Sequence, residues 1–190
     1  MRGKITIPLT VPHPYDNNIK LPVCWVGGFN GATNITHCFF DTSLNDKLKV
    51  LKDNCFSDCS ALRYIKLPNS LRVISTRAFF SCAQLSMTGV APYDIIIGPN
   101  VYSIGENAFC LGRNEIAQNW TTNIYIGAQV KTIALNAFAY IDRAVNNIAL
   151  GSLNNATALT SLGSDVFELN GNYGPYNTLT AYCKDSGHHI

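Results

Sequence analysis

Leu71-Arg72-Val73-Ile74-Ser75-Thr76-Arg77-Ala78-Phe79 decides the fold, because its pattern returns four more times in one register. The pattern is an apolar residue, two free positions, a second apolar residue, three free positions, a small residue and Phe. It recurs as Leu48 to Phe56 (LKVLKDNCF), Val101 to Phe109 (VYSIGENAF), Val130 to Phe138 (VKTIALNAF) and Leu159 to Phe167 (LTSLGSDVF). The phenylalanines are separated by 23, 30, 29 and 29 residues. Self-similarity at a period of roughly 20 to 50 residues marks a stack of supersecondary units, none of which can bury its apolar face alone.

Working outward, a second element precedes most copies. Tyr64 to Pro68, Asp94 to Gly98, Asn123 to Gly127 and Asn147 to Gly151 are short alternating segments closed by Pro or Gly. Alternation over so few residues, bounded by turn formers, predicts half-buried strands. Stacked strands of this kind form a parallel sheet with a spacing of about 4.8 Å, and the five Phe side chains are expected to form an internal aromatic ladder. Length varies between Phe and the next strand (Ser86 to Pro92, Gly112 to Thr121) and at the insertion Ser152 to Ala156. A coil of stacked units tolerates insertions at its connections. The position two before each Phe runs Asn54, Arg77, Asn107, Asn136, Asp165, where stacked Asn side chains are expected to satisfy turn backbone.

Seven cysteines are present, an odd number. Cys59 and Cys82 follow their Phe by three residues, and Cys55 occupies the small-residue slot, so buried free thiols are expected. A Cys59–Cys82 disulfide between neighbouring coils is the alternative. The Cys55–Cys59 pair has C-x3-C spacing with no second pair or nearby His, which does not suit a zinc site.

Hydrophobic residues make up 47% and charged residues 14%, which excludes disorder driven by charge. A formal net charge of +2 with scattered Lys and Arg gives no footprint for nucleic acid. No apolar stretch of about 18 residues exists, so membrane insertion is not expected. No secretory signal peptide is visible after Met1. HExxH, GxSxG and P-loop motifs are absent, and Gly27-Gly28-Phe29-Asn30-Gly31 lacks a dinucleotide-binding spacing. The expectation is therefore a non-enzymatic protein with no metal and no cofactor. Asn34, Asn119 and Asn155 begin glycosylation sequons, a background level in an Asn-rich chain.

From Ile65 to Leu85 the chain reads strand-Pro-x-Ser-Leu-x-x-Ile-x-x-x-Ala-Phe-x-x-Cys-x-x-Leu. This resembles the BspA-like leucine-rich repeat family, as do Ile104 to Phe109, Ile133 to Phe138, Leu162 to Phe167 and the closing Leu179 to Cys183. The resemblance implies a mainly β repeat solenoid: a leucine-rich-repeat coil with a short parallel sheet on one face and irregular or short helical connections. It also implies adhesion to, or binding of, a protein or glycan partner, and display at the cell surface or outside the cell. The alternative is a structural subunit of a larger assembly such as a bacteriophage particle (a virion location) or a surface layer. The expected organisation is an N-terminal cap over residues 1–33, with Trp25 as its anchor, five coils over 34–167, and a closing strand and tail over 168–190.

With Ile65/Leu67, Ile95/Ile97, Ile124/Ile126 and Ile148/Leu150 facing the core, alternation sends their neighbours outward. One row is Tyr64, Asp94, Asn123, Asn147 and the other is Lys66, Ile96, Tyr125, Ala149. The sheet surface is the usual recognition face of such repeats, so these eight residues form the expected binding site, suited to protein or glycan rather than DNA.

Overall fold

A computed structural model describes residues 3–41, 47–112, 121–141, 144–150, 159–168 and 180–182. The N-terminal strands are β1 (Gly3–Ile7), β2 (Thr10–His13), β3 (Asp16–Pro22), β4 (Trp25–Val26) and β5 (Ile35–Phe40). The middle of the chain gives β6 (Val50–Leu51), β7 (Tyr64–Ile65), β8 (Val73–Ile74), β9 (Ile95–Ile96) and β10 (Ser103–Ile104). Then come β11 (Thr121–Ile126), β12 (Thr132–Ile133), β13 (Ala144–Leu150), β14 (Ser161–Leu162) and β15 (Thr180–Tyr182). The described residues form no helix, so the connections are turns. The strands wind into a solenoid whose coils have three sides.

The first side carries the anticipated strands. They are divided into two parallel sheets rather than one, β1-β5-β7 and β9-β11-β13-β15. The division has a local cause in the longer connection before Asp94. Ser86 O accepts from Ile65 N at 3.2 Å and Met87 N donates to Asp94 O at 2.8 Å, so these two residues stand between β7 and β9. Beyond them Thr88 Oγ1 donates within the loop, towards Val90 O and Pro92 O.

The second side is a six-stranded parallel sheet in the order β14-β12-β10-β8-β6-β4, formed by the second apolar anchor of each repeat. Alternation could not reveal it, because each strand has only two residues in the described structure. The third side holds the Phe turns. Phe56 N donates to Ala78 O at 2.8 Å, Phe79 N to Ala108 O at 2.8 Å and Phe109 N to Ala137 O at 2.7 Å, giving a further coil-to-coil ladder.

Inside, the rings stack in the order Phe29, Phe56, Phe79, Phe109, Phe138, Phe167, with centroids 5.1 to 5.5 Å apart. Phe56, Phe79, Phe109 and Phe138 are among the largest fully buried side chains. Phe29 adds a sixth ring from within the stretch expected to be the cap. That stretch also supplies β1, paired parallel with β5, and an antiparallel β2–β3 hairpin. Trp25 is exposed, with Lys52 Nζ 4.4 Å from its ring centroid. At the other end β15 pairs with β13.

The row before the small residue serves the scaffold by a different route from the one anticipated. Asn54, Arg77, Asn107, Asn136 and Asp165 all have φ of 53° or 54°. This left-handed conformation is one that Asn and Asp tolerate better than most residues. Among the described residues no capping bond is common to the row: Asn107 Nδ2 donates to Glu106 Oε1, and Asn136 Oδ1 is buried with no hydrogen-bond partner.

The buried cysteines are free thiols. Cys59 Sγ donates to Phe29 O at 3.0 Å and Cys82 Sγ to Phe56 O at 2.9 Å, each reaching the preceding coil, and the two are not bonded to each other. The insertion 152–156, most of the 112–121 connection, Cys183, His188, His189 and the sequon residues Asn119 and Asn155 lie outside the described residues.

Candidate functional site

The eight expected face residues come from β7, β9, β11, β13, the position after β7 and the position before β9. Main-chain pairing sets their order: Ile96 lies opposite Tyr125, and Tyr125 opposite Ala149. Lys66 is exposed, Ile96 is 42% exposed and Tyr125 41%, while Ala149 is half-buried. This row points outward as alternation requires.

The other row behaves differently. Tyr64 is half-buried, but Asp94 and Asn123 are only 7% and 8% exposed, against the outward position expected from alternation. Asp94 Oδ1 accepts from Asn123 N at 3.0 Å and from Asn123 Nδ2 at 2.9 Å. A shielded carboxylate needs such donors, and the pair ties β11 to the segment entering β9. Asn147 is paired with Asn123 along the main chain, and its side chain lies outside the described residues.

Two residues that alternation did not single out enlarge the face. β5 lies beside β7 with His37 opposite Tyr64 and Cys38 opposite Ile65, which places Phe39 at the head of the row containing Lys66. Ring centroids are 6.1 Å apart for His37 and Tyr64, 5.7 Å for Phe39 and Tyr64, and 6.1 Å for His37 and Phe39. The missed signal was Ile35 to Phe40, which carries strand character but lacks the anchor spacing that located the other strands.

His37 Nδ1 is 3.0 Å from Thr36 Oγ1. Partial burial, with Lys4 and Arg63 nearby, holds its pKa below the ordinary value of 6.5. Arg63 Nε donates to Gln84 Oε1 at 2.8 Å. The neighbourhood of the aromatic cluster is therefore cationic.

Two shallow depressions border this row. One, of about 290 Å³, is lined by residues including Phe39, Asp41, Tyr64, Lys66, Pro68 and Asn69. The other, of about 180 Å³, includes Lys66, Asn69, Met87, Ile96 and Pro99. Lys66 and Asn69 belong to both, so the depressions adjoin. A third, more apolar depression of about 420 Å³ lies at the N-terminal end among Val11, Leu21, Trp25 and Phe29.

Among the described residues no group of three or more His, Cys, Asp or Glu is placed to hold a metal ion. Burial pushes the Cys38 thiol up to about 12 and the Cys59 thiol up to about 11, opposite to what a nucleophilic cysteine needs. Among the described residues no helix is long and apolar enough to cross a membrane.

The family model for the BspA type leucine rich repeat region matches residues 29–172 in 6 copies. The start of that match at Phe29 coincides with the first ring of the ladder. No curated protein matches the chain. Among solved structures, a leucine rich cell surface protein from Faecalibacterium prausnitzii superposes with a TM-score of 0.53 at 19% identity, covering 94% of this chain and 47% of that one. A leucine rich repeat protein from T. pallidum gives a TM-score of 0.51 at 20% identity, covering 86% of this chain and 74% of that one. The chain thus spans about half the length of the first, and these likenesses speak for the fold. With the repeat register, the Phe ladder and a match over most of its length in agreement, the chain belongs to the BspA-type leucine-rich-repeat family.

Proposed function

We propose that this chain is a non-enzymatic interaction module that binds a protein or glycan partner through its outer sheet face. The observation that carries this reading is the outward row of exposed Lys66, Ile96 and Tyr125 with half-buried Ala149, headed by Phe39 and flanked by Tyr64. Aromatic and apolar side chains clustered with few charges are the composition of interface centres. A test is a pull-down with partner identification from the native source, repeated with Tyr64→Ala and Tyr125→Ala. Loss of the partner with unchanged unfolding midpoints supports the sheet face. Undiminished capture by both variants moves the site elsewhere.

The second reading, a subunit of a larger assembly, is favoured by the last described coil. Leu162 is 54% exposed, whereas Leu51, Ile74, Ile104 and Ile133 at the same repeat position are buried. An apolar end of this kind suits stacking on another coil. Sedimentation over a wide concentration range distinguishes the readings, because a chain that stays monomeric throughout does not build assemblies by itself.

A further inference from the structure

The two adjoining depressions on the sheet face carry a more specific inference, which rests on the sheet-face reading just given. Lys66, which they share with Leu67 and Asn69, is exposed and has a chamber on either side. Phe39 and Tyr64 wall one chamber, and Ile96, Met87 and Pro99 wall the other. We infer that this double groove takes an extended peptide segment with the pattern apolar-x-acidic-x-apolar, its carboxylate set against the Lys66 ammonium.

Charge is the first argument. Asp41 is the acid in the described lining, and it lies in the Phe39 chamber away from Ile96. Lys66, Lys4 and Arg63 stand exposed around the same aromatic cluster and outnumber it, which leaves the surroundings positive. The other acid near this face, Asp94, is buried and engaged with Asn123. A negative segment is complementary to such a surface, and a positive one is repelled.

The rings supply the second argument, which separates peptide from sugar. A saccharide stacks on an open aromatic face. Here the rings pack on one another, with His37, Phe39 and Tyr64 mutually 5.7 to 6.1 Å apart. Tyr64 is also closed off by the connection before β9, since a Cβ on Gly89 would stand 3.0 Å from its Cδ2. Half-covered rings give a chamber for an aliphatic or aromatic side chain rather than a platform for a pyranose.

Spacing is the third. The groove crosses the strands, from the Phe39 column over Lys66 to Ile96. In an extended chain side chains at i, i+2 and i+4 share one face, so three consecutive same-face side chains meet apolar, cationic and apolar surroundings in turn. The backbone break between β7 and β9, floored by Met87, provides the second chamber. There Ile96 N donates to Met87 Sδ at 3.0 Å, where an unbroken sheet would supply a carbonyl.

The experiment is an NMR titration of the isotope-labelled full chain with acetyl-Leu-Ser-Glu-Ser-Leu-amide, the same peptide with Lys in place of Glu, and a hyaluronan hexasaccharide. Amide shifts at Phe39, Lys66, Asn69 and Ile96 with the Glu peptide are expected. Its Kd should rise about two- to fivefold in Lys66→Gln, as for one exposed ion pair, and the Lys peptide should bind more weakly than the Glu peptide. Equal binding of the two peptides, an unchanged Kd in Lys66→Gln, no shifts at millimolar peptide, or tighter binding of the hexasaccharide at the same amides overturns the inference. Shifts confined to Tyr125 and Ala149 overturn it too, yet leave the sheet-face reading standing. Shifts away from the sheet altogether overturn both.

Discussion

The Phe109 and Phe138 rings lie 5.2 Å apart between centroids and 2° from parallel, each supplied by a different coil and both buried. Each ring also stacks on its other neighbour, Phe79 or Phe167, so the ladder transmits packing along the solenoid axis. Stability in such a stack is the sum of coil and interface contributions. Phe109→Ala removes a ring from two interfaces at once and is expected to cost about 3–5 kcal/mol. Phe39→Ala, on the outer face, should cost far less. Urea unfolding of both variants checks the claim, and equal losses would show that the ladder does not carry the core.

Gly105 faces a tighter limit than its backbone angles suggest. A Cβ placed there would stand 2.5 Å from Thr76 N and 2.6 Å from Ser75 C, both backbone atoms of the preceding coil. Neither can move without separating the coils, so Gly105→Ala is expected to destabilise by about 1–3 kcal/mol, as overpacking does. Gly98→Ala is the control, because a Cβ there would meet nothing within 4 Å beyond its own chain neighbours; a change within about 0.5 kcal/mol is expected there. Matched thermal melts of the two variants decide it.

The buried thiols give a pH signature. Burial raises the Cys59 thiol to about 11 and the Cys38 thiol to about 12, from an ordinary 9.0. Between those values the unfolded chain releases protons that the folded chain keeps, so folding stability falls as pH rises. Stability should thus be flat with respect to these groups below pH 9.0 and decline through about 11 to 12. Alkylation of the native protein should label the exposed Cys24 and spare Cys38, Cys55, Cys59 and Cys82. Mass mapping of the Cys24 and Cys59 peptides tests this, and labelling of Cys59 at the same rate as Cys24 would contradict the packing described.

These features differ in how far they could be read from the chain. The five-fold register from Leu48 to Phe167 was legible because one coil must pack on the next, which forces apolar residues into repeated positions. Phe29 escaped because Gly27 and Gly28 shorten its unit: Val26 precedes it by three residues, whereas Ile74 precedes Phe79 by five. Gly28, with φ of 87°, makes the tighter turn that brings the ring onto Phe56 regardless. The second sheet was hidden because a two-residue strand such as Val73–Ile74 has no period to detect. Alternation placed Lys66, Ile96 and Tyr125 outward, as observed. It failed for Asp94 and Asn123, since a period of two records which face a side chain leaves from but not whether a neighbouring connection covers it. Nor does it record a partner in the next strand, such as the one Asp94 Oδ1 finds in Asn123 N and Nδ2.

His37 provides a reporter for the face itself. Its pKa is lowered first by burial and then by Lys4 and Arg63. Its NMR titration midpoint should accordingly fall below 6.5, and Lys4→Gln should move it up towards that value. Because the unfolded chain binds the proton more readily, the contribution of His37 to stability is present above pH 6.5 and is lost as pH falls through the folded midpoint. A midpoint at or above 6.5 in the unmodified chain would mean that burial, Lys4 and Arg63 do not dominate the surroundings of His37. The same titration then responds to ligand: a carboxylate brought near this cluster opposes the two cations and raises the midpoint. Saturation with the Glu-containing peptide should raise it, and saturation with the Lys-containing peptide should not. His37 thereby links the charge of the face to its occupancy in a single measurement.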